Sequence, residues 1–319
     1  MKLPVNAVNS DCTNERGTPG VRSSLVKNVR RNTTYYFMMA PFLLVFILFL
    51  FIPVVASIVL SFTSFDMVRM PRFVGFENYI RLFFNDDVFI KALQNTLAMA
   101  VITGPVGFLL SFVVAWLINE MSPKIRKLIT LVMYAPTLAG NVYFIWLFIF
   151  SSDSKGLANT VLMSLGLLRD PVNWLTDAAY NFPVVIIVSI WLSLGTGFLS
   201  FVAGLQSLDR SYFEAAAIDG IKNRWQELFF VTLPQMGPQL MFGAVMTISS
   251  AFAVGYVNQA LTGFPSTNYS THTLLLHMLD YGTVRFEMGY SSAIAVVLFG
   301  MMLVTWLLIN KVLKRFSED

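Results

Sequence analysis

Long apolar runs, parted by short charged stretches, set the pattern of this chain. No Asp, Glu, Lys or Arg occurs over 32–65, 92–119, 128–152, 178–208 or 288–310. A sixth charge-free run, 228–279, is too long for one helix, and from Thr262 to Thr273 it turns rich in Ser, Thr, Asn and Pro. A helix rises about 1.5 Å per residue, so roughly 20 apolar residues cross a bilayer core. The pattern therefore predicts six helices, near 36–62, 93–118, 128–150, 182–206, 237–259 and 290–310. A membrane barrel would show alternation over about ten residues, whereas FLLVFILFLFIPVV (42–55) is continuously apolar. The expected fold is an all-α polytopic membrane protein. Pro53, Pro105, Pro136 and Pro183 fall within or at the ends of these runs. They read as kinks or helix starts, which membrane helices tolerate. A moving hinge at any of them stays open.

Composition agrees. Of 319 residues, 56% are hydrophobic and 13% charged, against about 25% charged in soluble domains. The net charge of +4 does not imply nucleic acid, because the bases sit in tails and short loops. Cys12 is the single cysteine and cannot form an internal disulfide. His272 and His277 are five residues apart, not the i, i+4 pair of a helical zinc site, so no metal site is expected.

Charge also orients the chain. Residues 1–31 are polar and basic and lack the apolar core of a secretory signal close behind the basic start. They read as a disordered basic cytoplasmic tail, followed by a six-helix membrane domain over 32–315. Six spans put both termini on one side. With the tail inside, inner segments hold 15 of the 22 Lys and Arg and outer segments 7. The positive-inside rule then favours N-in, C-in, which makes 209–235 cytoplasmic.

That segment stands out. Between two apolar runs lie Asp209, Arg210, Glu214, Asp219, Lys222, Arg224 and Glu227, a mixed-charge set that cannot lie in lipid. Asp209 suits an N-cap for RSYFEAAAID, and Gly220 suits the end of that helix. KNRWQELFFV can form a second short amphipathic helix, leaving Trp225 exposed. The residues alone leave two readings: a solvated helical hairpin, or a surface for a partner.

Glu214-Ala215-Ala216, Asp219-Gly220 and Thr232-Leu233-Pro234 resemble the EAA loop of bacterial ABC importer permeases. The resemblance implies docking into a groove of a cytoplasmic ATPase, with Glu214, Ala215, Ala216, Asp219, Gly220 and Trp225 as coupling residues. The spacing from Gly220 to Leu233-Pro234 is one residue longer than the commonest family pattern, so the bend is expected at Gly220 and the second helix is where this chain departs. FVGFENYIRLF (73–83), with Phe89, Ala92-Leu93 and Asn95-Thr96 after it and SFTSF (61–65) before it, is similar to carbohydrate permeases of the MalF type. LTGFP (261–265) is similar to the LTGGGP at the outer end of their fifth span. The likeness covers roughly 36–315 and implies a MetI-like permease fold. IDGIKNRWQELFF and TGFPSTNYSTHT look most like permeases for complex or polysaccharide-derived sugars.

No G-x-x-x-x-G-K-[ST] phosphate loop is present, so ATP would be bound by partner subunits and the chain itself needs no cofactor. No acid or base lies inside an expected span, which disfavours ion-coupled carriers and membrane enzymes. Neutral polar groups at membrane depth are the pathway candidates: Asn141 and Tyr143 in the third span, Ser189, Trp191 and Ser193 in the fourth, and Ser249, Ser250, Tyr256 and Asn258 in or near the fifth. Aromatic faces with neutral hydrogen-bonding groups suit sugars. Ser and Asn also bond between helices, and Trp and Tyr anchor interfaces. In MalF-type permeases polar residues of the fifth span face the pathway, which supports Ser249 and Ser250, whereas Tyr256 stands where many relatives carry an acid or amide. The expected function is a permease subunit of an ABC importer that moves a sugar, an oligosaccharide by resemblance, across a bacterial inner membrane. It would work with a second homologous permease, two cytoplasmic ATPase subunits and an extracellular solute-binding protein, and not as an enzyme. The alternative is a stand-alone channel or secondary carrier for a small polar solute.

Overall fold

A computed structural model describes residues 33–140 and 142–317. The tail expected over 1–31 and Asn141 lie outside the described residues. Contacts divide the chain into two units, Met1–Ala56 and Ser57–Asp319. In the first, α1 (Thr33–Phe46) runs into a π turn (Ile47–Phe51) and on into the start of α2 (Ile52–Leu60), whose last four residues belong to the second. An 18-residue window within Phe37–Leu60 has a mean hydropathy of 3.2. Side chains of such a run need an apolar neighbour.

The second unit continues with β1 (Thr63–Ser64) paired antiparallel to β2 (Arg72–Phe73). Next comes the short α3 (Glu77–Phe84). The buried Asn78 amide donates to the carbonyls of Ser61 and Thr63, at 2.8 and 3.0 Å, and so ties the hairpin to α3. The long α4 (Asp87–Asn119) starts at Asp86, whose carboxylate accepts the Phe89 N–H at 2.9 Å. Pro123 then opens α5 (Pro123–Leu138), where its missing N–H is no loss. After it come α6 (Tyr143–Ile149), α7 (Leu157–Ser164), α8 (Asn181–Leu192) and α9 (Thr196–Ser207). The charged segment holds α10 (Arg210–Ile218), α11 (Arg224–Glu227), a π turn (Leu228–Thr232) and α12 (Leu233–Gln235). The chain finishes with α13 (Gly237–Phe252), α14 (Tyr256–Thr262), α15 (Leu274–Leu279), a π turn (Asp280–Val284) and α16 (Met288–Ser317).

Among the described residues, four helices are long and apolar enough to cross a membrane, or up to six if each bent pair is one span. The expected third helix is broken: α5 and α6 meet at 91°. Pro136 lies inside α5, and Gly140 sits in the break. The expected fifth helix ends early, at Phe252. Gly255 then occupies the break before α14. The fourth run reads as one span, Asn181–Ser207, yet it too is interrupted at Ser193–Gly195. Irregular backbone at membrane depth survives only inside protein or beside a watery cavity.

α4 is the central strut. It packs against α9 and α13, and less extensively against α8. One core cluster near its start joins Phe89 and Ala92 to Leu274, Tyr281, Tyr290 and Ile294. A second near its end joins Phe112, Ala115 and Ile118 to Phe198, Phe201, Leu228 and Met236. A third puts Met99 against Val185, Val188 and Leu261.

Candidate functional site

Two of the breaks, at 193–195 and 253–255, meet at one place, which Thr137 near the end of α5 also reaches. A cavity of about 210 Å³ is lined by Thr103, Ser189, Ser193, Thr247, Ser250 and Tyr256 together with the 253–255 break. An adjoining space of about 210 Å³ shares Ser193, Thr247 and Ser250 and reaches Thr137, Gly195 and Thr196. Close packing holds this wall. At Gly107 of α4 an added Cβ would stand 2.8 Å from the Ser193 Cβ, so only glycine fits unless Ser193 moves.

The chemistry of the lining is neutral and polar. The hydroxyls of Thr103, Thr247 and Ser250 donate to the carbonyls of Met99, Gly243 and Met246, at 2.7, 2.6 and 2.9 Å. Ser193 donates to Ile190 at 2.6 Å. Each hydroxyl thus spends its proton within its own helix and turns acceptor lone pairs to the cavity. The Ser189 hydroxyl is buried and has no protein partner. Tyr256 is 65% exposed, offering an aromatic face. No charged side chain lines either space.

Not every candidate comes together here. Ser250, Tyr256, Ser189 and Ser193 line the cavity. Ser249 does not; it donates to Val245 at 2.8 Å. Asn258 is fully buried and donates to the Thr271 carbonyl at 2.7 Å, which fastens α14 to the following loop. Tyr143 packs against the third core cluster, and Trp191 meets Trp146 edge to face at 5.4 Å. Asn141 lies outside the described residues. Sequence reasoning missed Thr103, Thr137 and Thr247. Ser193, already a candidate, and the glycines at the breaks were the available signal.

The charged segment forms a second site. Asp209 caps α10, accepting the Ser211 N–H at 3.0 Å. That bond, with one from the Ser211 side chain, holds the Asp209 carboxyl below its usual range. The other end is a Schellman motif: Ile221 N–H bonds to the Ala216 carbonyl at 3.0 Å and Gly220 N–H to Ala217 at 3.4 Å. It needs a left-handed residue, and Gly220 supplies φ +93°. Ala216 is turned inward and buried. The exposed face therefore carries Glu214, Ala215, Asp219 and an 87% exposed Ile218. After the bend, Asn223 caps α11 by accepting the Trp225 N–H at 3.0 Å. The π turn Leu228–Thr232 follows. An i→i+5 turn holds one more residue than an α turn, so the segment between Gly220 and Pro234 is wound more loosely than a regular α-helix.

Trp225 is not simply presented outward. Its ring lies 5.4 Å from that of Trp116, near the end of α4. Beside it Arg224 grips Glu120, the residue that ends α4, at 2.5 and 3.1 Å. Glu120 and Trp116 had no signal in hydropathy; their i, i+4 spacing alone puts them on one face.

At the opposite end of α4, the segment between α14 and α16 is tightly bound. Lys91 donates to Asn268, Asn95 to Tyr269 and His272, and the Leu274 N–H to Thr96. Asp86 accepts from His277 at 3.1 Å and from the Tyr290 hydroxyl at 2.7 Å. Burial alone would raise the Asp86 carboxyl, but these bonds and the Phe89 N–H outweigh it and hold it far below its usual range. His272, 3.3 Å from His277, is pushed down to about 4 by burial and by that neighbour. Among the described residues no group of three or more His, Cys, Asp and Glu could hold a metal.

Comparison with known proteins sets these sites in context. Residues 107–318 match the family described as "Binding-protein-dependent transport system inner membrane component". The lactose transport system permease protein LacF of Rhizobium radiobacter is 31% identical over 81% of this chain and 85% of its own length. The arabinooligosaccharides transport system permease protein AraP of Bacillus subtilis is 29% identical over 89% of this chain and 90% of its own length. A chain in the crystal structure of a bacterial alginate ABC transporter, in complex with an alginate pentasaccharide-bound periplasmic protein, superposes with a TM-score of 0.75 at 25% identity, covering 92% of this chain and 98% of that one.

Proposed function

Because this chain belongs to the binding-protein-dependent transport system inner membrane component family, we propose that it is one of two homologous permease subunits of an ABC importer for sugars. It is a transporter permease of the membrane and not an enzyme. Six spans with both termini inside, as the Lys and Arg counts support, put 209–235 in the cytoplasm of a bacterial cell. There α10, closed by the Gly220 bend, docks on a cytoplasmic ATPase subunit, with Glu214, Ala215, Ala216, Asp219, Gly220 and Trp225 as the coupling set. A second ATPase serves the other permease. A solute-binding protein delivers the sugar from outside, in keeping with the alginate transporter.

The observation that carries this reading is the docking segment: a short capped helix whose outward face shows Glu214, Ala215 and Ile218, ended by a left-handed glycine. The neutral cavity supports the sugar. Ser250 and Tyr256 are pathway residues there, with Ser189 and Ser193, and acceptor hydroxyls beside an aromatic ring suit sugar hydroxyls and ring faces. Asn141, Tyr143, Ser249 and Asn258 complete the sequence-based pathway set. Of these, Ser249 donates within its own helix and Asn258 to the loop after α14. The order of parts would be the 1–31 tail, then the 32–315 permease domain.

The assembled complex in vesicles tests the reading. Glu214→Lys with Gly220→Pro is expected to strip the ATPase subunits during purification and abolish uptake of labelled lactose and arabino-oligosaccharides. Unchanged association and uptake would refute the coupling role. No uptake of any sugar by the parent complex would refute the sugar assignment.

A further inference from the structure

We propose that the Arg224–Glu120 ion pair and the Trp116–Trp225 contact form the joint that carries movement of the docking segment into α4. The proposal rests on reading 209–235 as the docking segment.

Two adjacent residues of α11 meet two residues of α4 that lie four apart. Arg224 reaches Glu120 through both guanidinium nitrogens, at 2.5 and 3.1 Å, and braces on Glu227 at 3.3 Å. The Trp225 ring stands 5.4 Å from the Trp116 ring at 43°. Positions i and i+4 lie one above the other on a helix face, so the pair of contacts resists both sliding and rolling. A fork of this kind also fixes orientation, which a lysine in place of Arg224 would not. The end of α4 is further tied to the start of α5, because Arg126 donates to the carbonyls of Asn119 and Met121 at 2.6 and 3.2 Å.

What α4 carries gives the joint its consequence. Thirteen residues before Glu120, Gly107 lies against Ser193 at the α8–α9 break, and Thr103 lines the cavity. Docking-segment movement transmitted to Glu120 therefore moves a cavity wall. The side chains of Arg224 and Glu120 are 59% and 40% exposed. Ion pairs so exposed add little to stability, and their removal interrogates transmission rather than folding.

The test uses the full complex of permease pair, ATPase subunits and solute-binding protein in vesicles, with ATP hydrolysis and labelled-sugar uptake measured together. Glu120→Lys is expected to lower uptake per ATP hydrolysed roughly tenfold, within the usual span of coupling factors, with the ATPase subunits still bound. The double swap Glu120→Lys, Arg224→Glu restores at least about half of the loss if the pair is direct. Trp225→Ala lowers the same ratio. A parental ratio in Glu120→Lys, or a double swap no better than the single, would overturn the proposal. Loss of the ATPase subunits from Glu120→Lys would overturn it as well, since the contact would then serve docking. Loss from Glu214→Lys alone keeps docking and transmission distinct.

Discussion

Gly107→Ala is the sharpest probe of the cavity wall. The new Cβ would stand 2.5 Å from the Ser193 Oγ, 2.8 Å from its Cβ and 3.5 Å from the Thr247 Cγ2. Rotating the hydroxyl cannot relieve this, because the Ser193 Cβ itself is too close. Ser193 is also held by its bond to Ile190 and sits in the α8–α9 break. The α4–α8 contact must therefore open by several tenths of an ångström. Overpacking of this kind costs about 1–3 kcal/mol. The helix propensity gained by replacing glycine, about 1 kcal/mol, offsets part of it. Thermal unfolding of the detergent-solubilised complex should show a net loss of up to about 2 kcal/mol, with uptake impaired because the shifted residue lines the cavity. Ser193→Gly in the same chain removes both clashing atoms and should restore the stability. Gly300→Ala, which meets nothing within 4 Å, is the control and should be neutral or stabilising. Parental stability and uptake in Gly107→Ala would refute the close approach of α4 to the break.

Two further outcomes follow from the geometry. Gly220→Ala meets no neighbour within 4 Å but keeps φ at +93°, so it should cost the end of α10 about 1–2 kcal/mol through the backbone alone, read, if α10 docks as proposed, as weaker ATPase association with the membrane spans intact. His272 is held near 4 in the folded chain against an ordinary 6.5. Between those values the unfolded chain binds more protons, so stability falls as pH drops through that window, by about 3 kcal/mol in full. Asp86, depressed in the folded chain, adds stability above its ordinary range that is lost as pH falls further below about 4. Melting of the detergent-solubilised complex from pH 7 down to about pH 3 checks both, and His272→Gln should flatten the slope above about pH 4.

Hydropathy made the apolar runs, the Asp209 cap and the Gly220 stop legible, because each depends on residues close in sequence. The breaks were not. At 139–142, 193–195 and 253–255 the chain stays free of charged residues, and a window of 20 residues averages a turn away. Gly140, Gly195 and Gly255 mark all three breaks, yet glycines elsewhere in these helices serve close packing, as at Gly107 and Gly204. The candidate site was half legible for the same reason. Ser250 and Ser193 could be picked as polar groups in apolar runs. Whether a hydroxyl faces the cavity, like Ser250, or its own helix alone, like Ser249, depends on a 100° step that composition does not encode. The contacts of Asp86 with His277 and of Arg224 with Glu120 join residues 191 and 104 positions apart, beyond any local pattern. In charge counting, Glu120 was only a loop residue.

These long-range ties explain why α4 can act as a lever. Its start is fixed by Asp86, Lys91, Asn95 and Thr96, all bonded to the segment between α14 and α16. Its other end is held by the Arg224 and Trp225 joint. At 1.5 Å per residue its 33 residues span about 50 Å, with Gly107 about 30 Å from the fixed end. Rigid rotation about that end would move Gly107 by about three-fifths of the displacement at Glu120, so a shift of about 5 Å at the joint becomes about 3 Å at the cavity. Pro105 lies inside α4, between Thr103 and Gly107. A bend there would confine the motion to the half nearer the joint, moving Gly107 and leaving Thr103 still. The wall is packed against Ser193 on one side and Ala251 on the other, and packed contacts resist gradual deformation. A wall packed in this way would shift between discrete arrangements rather than deform gradually.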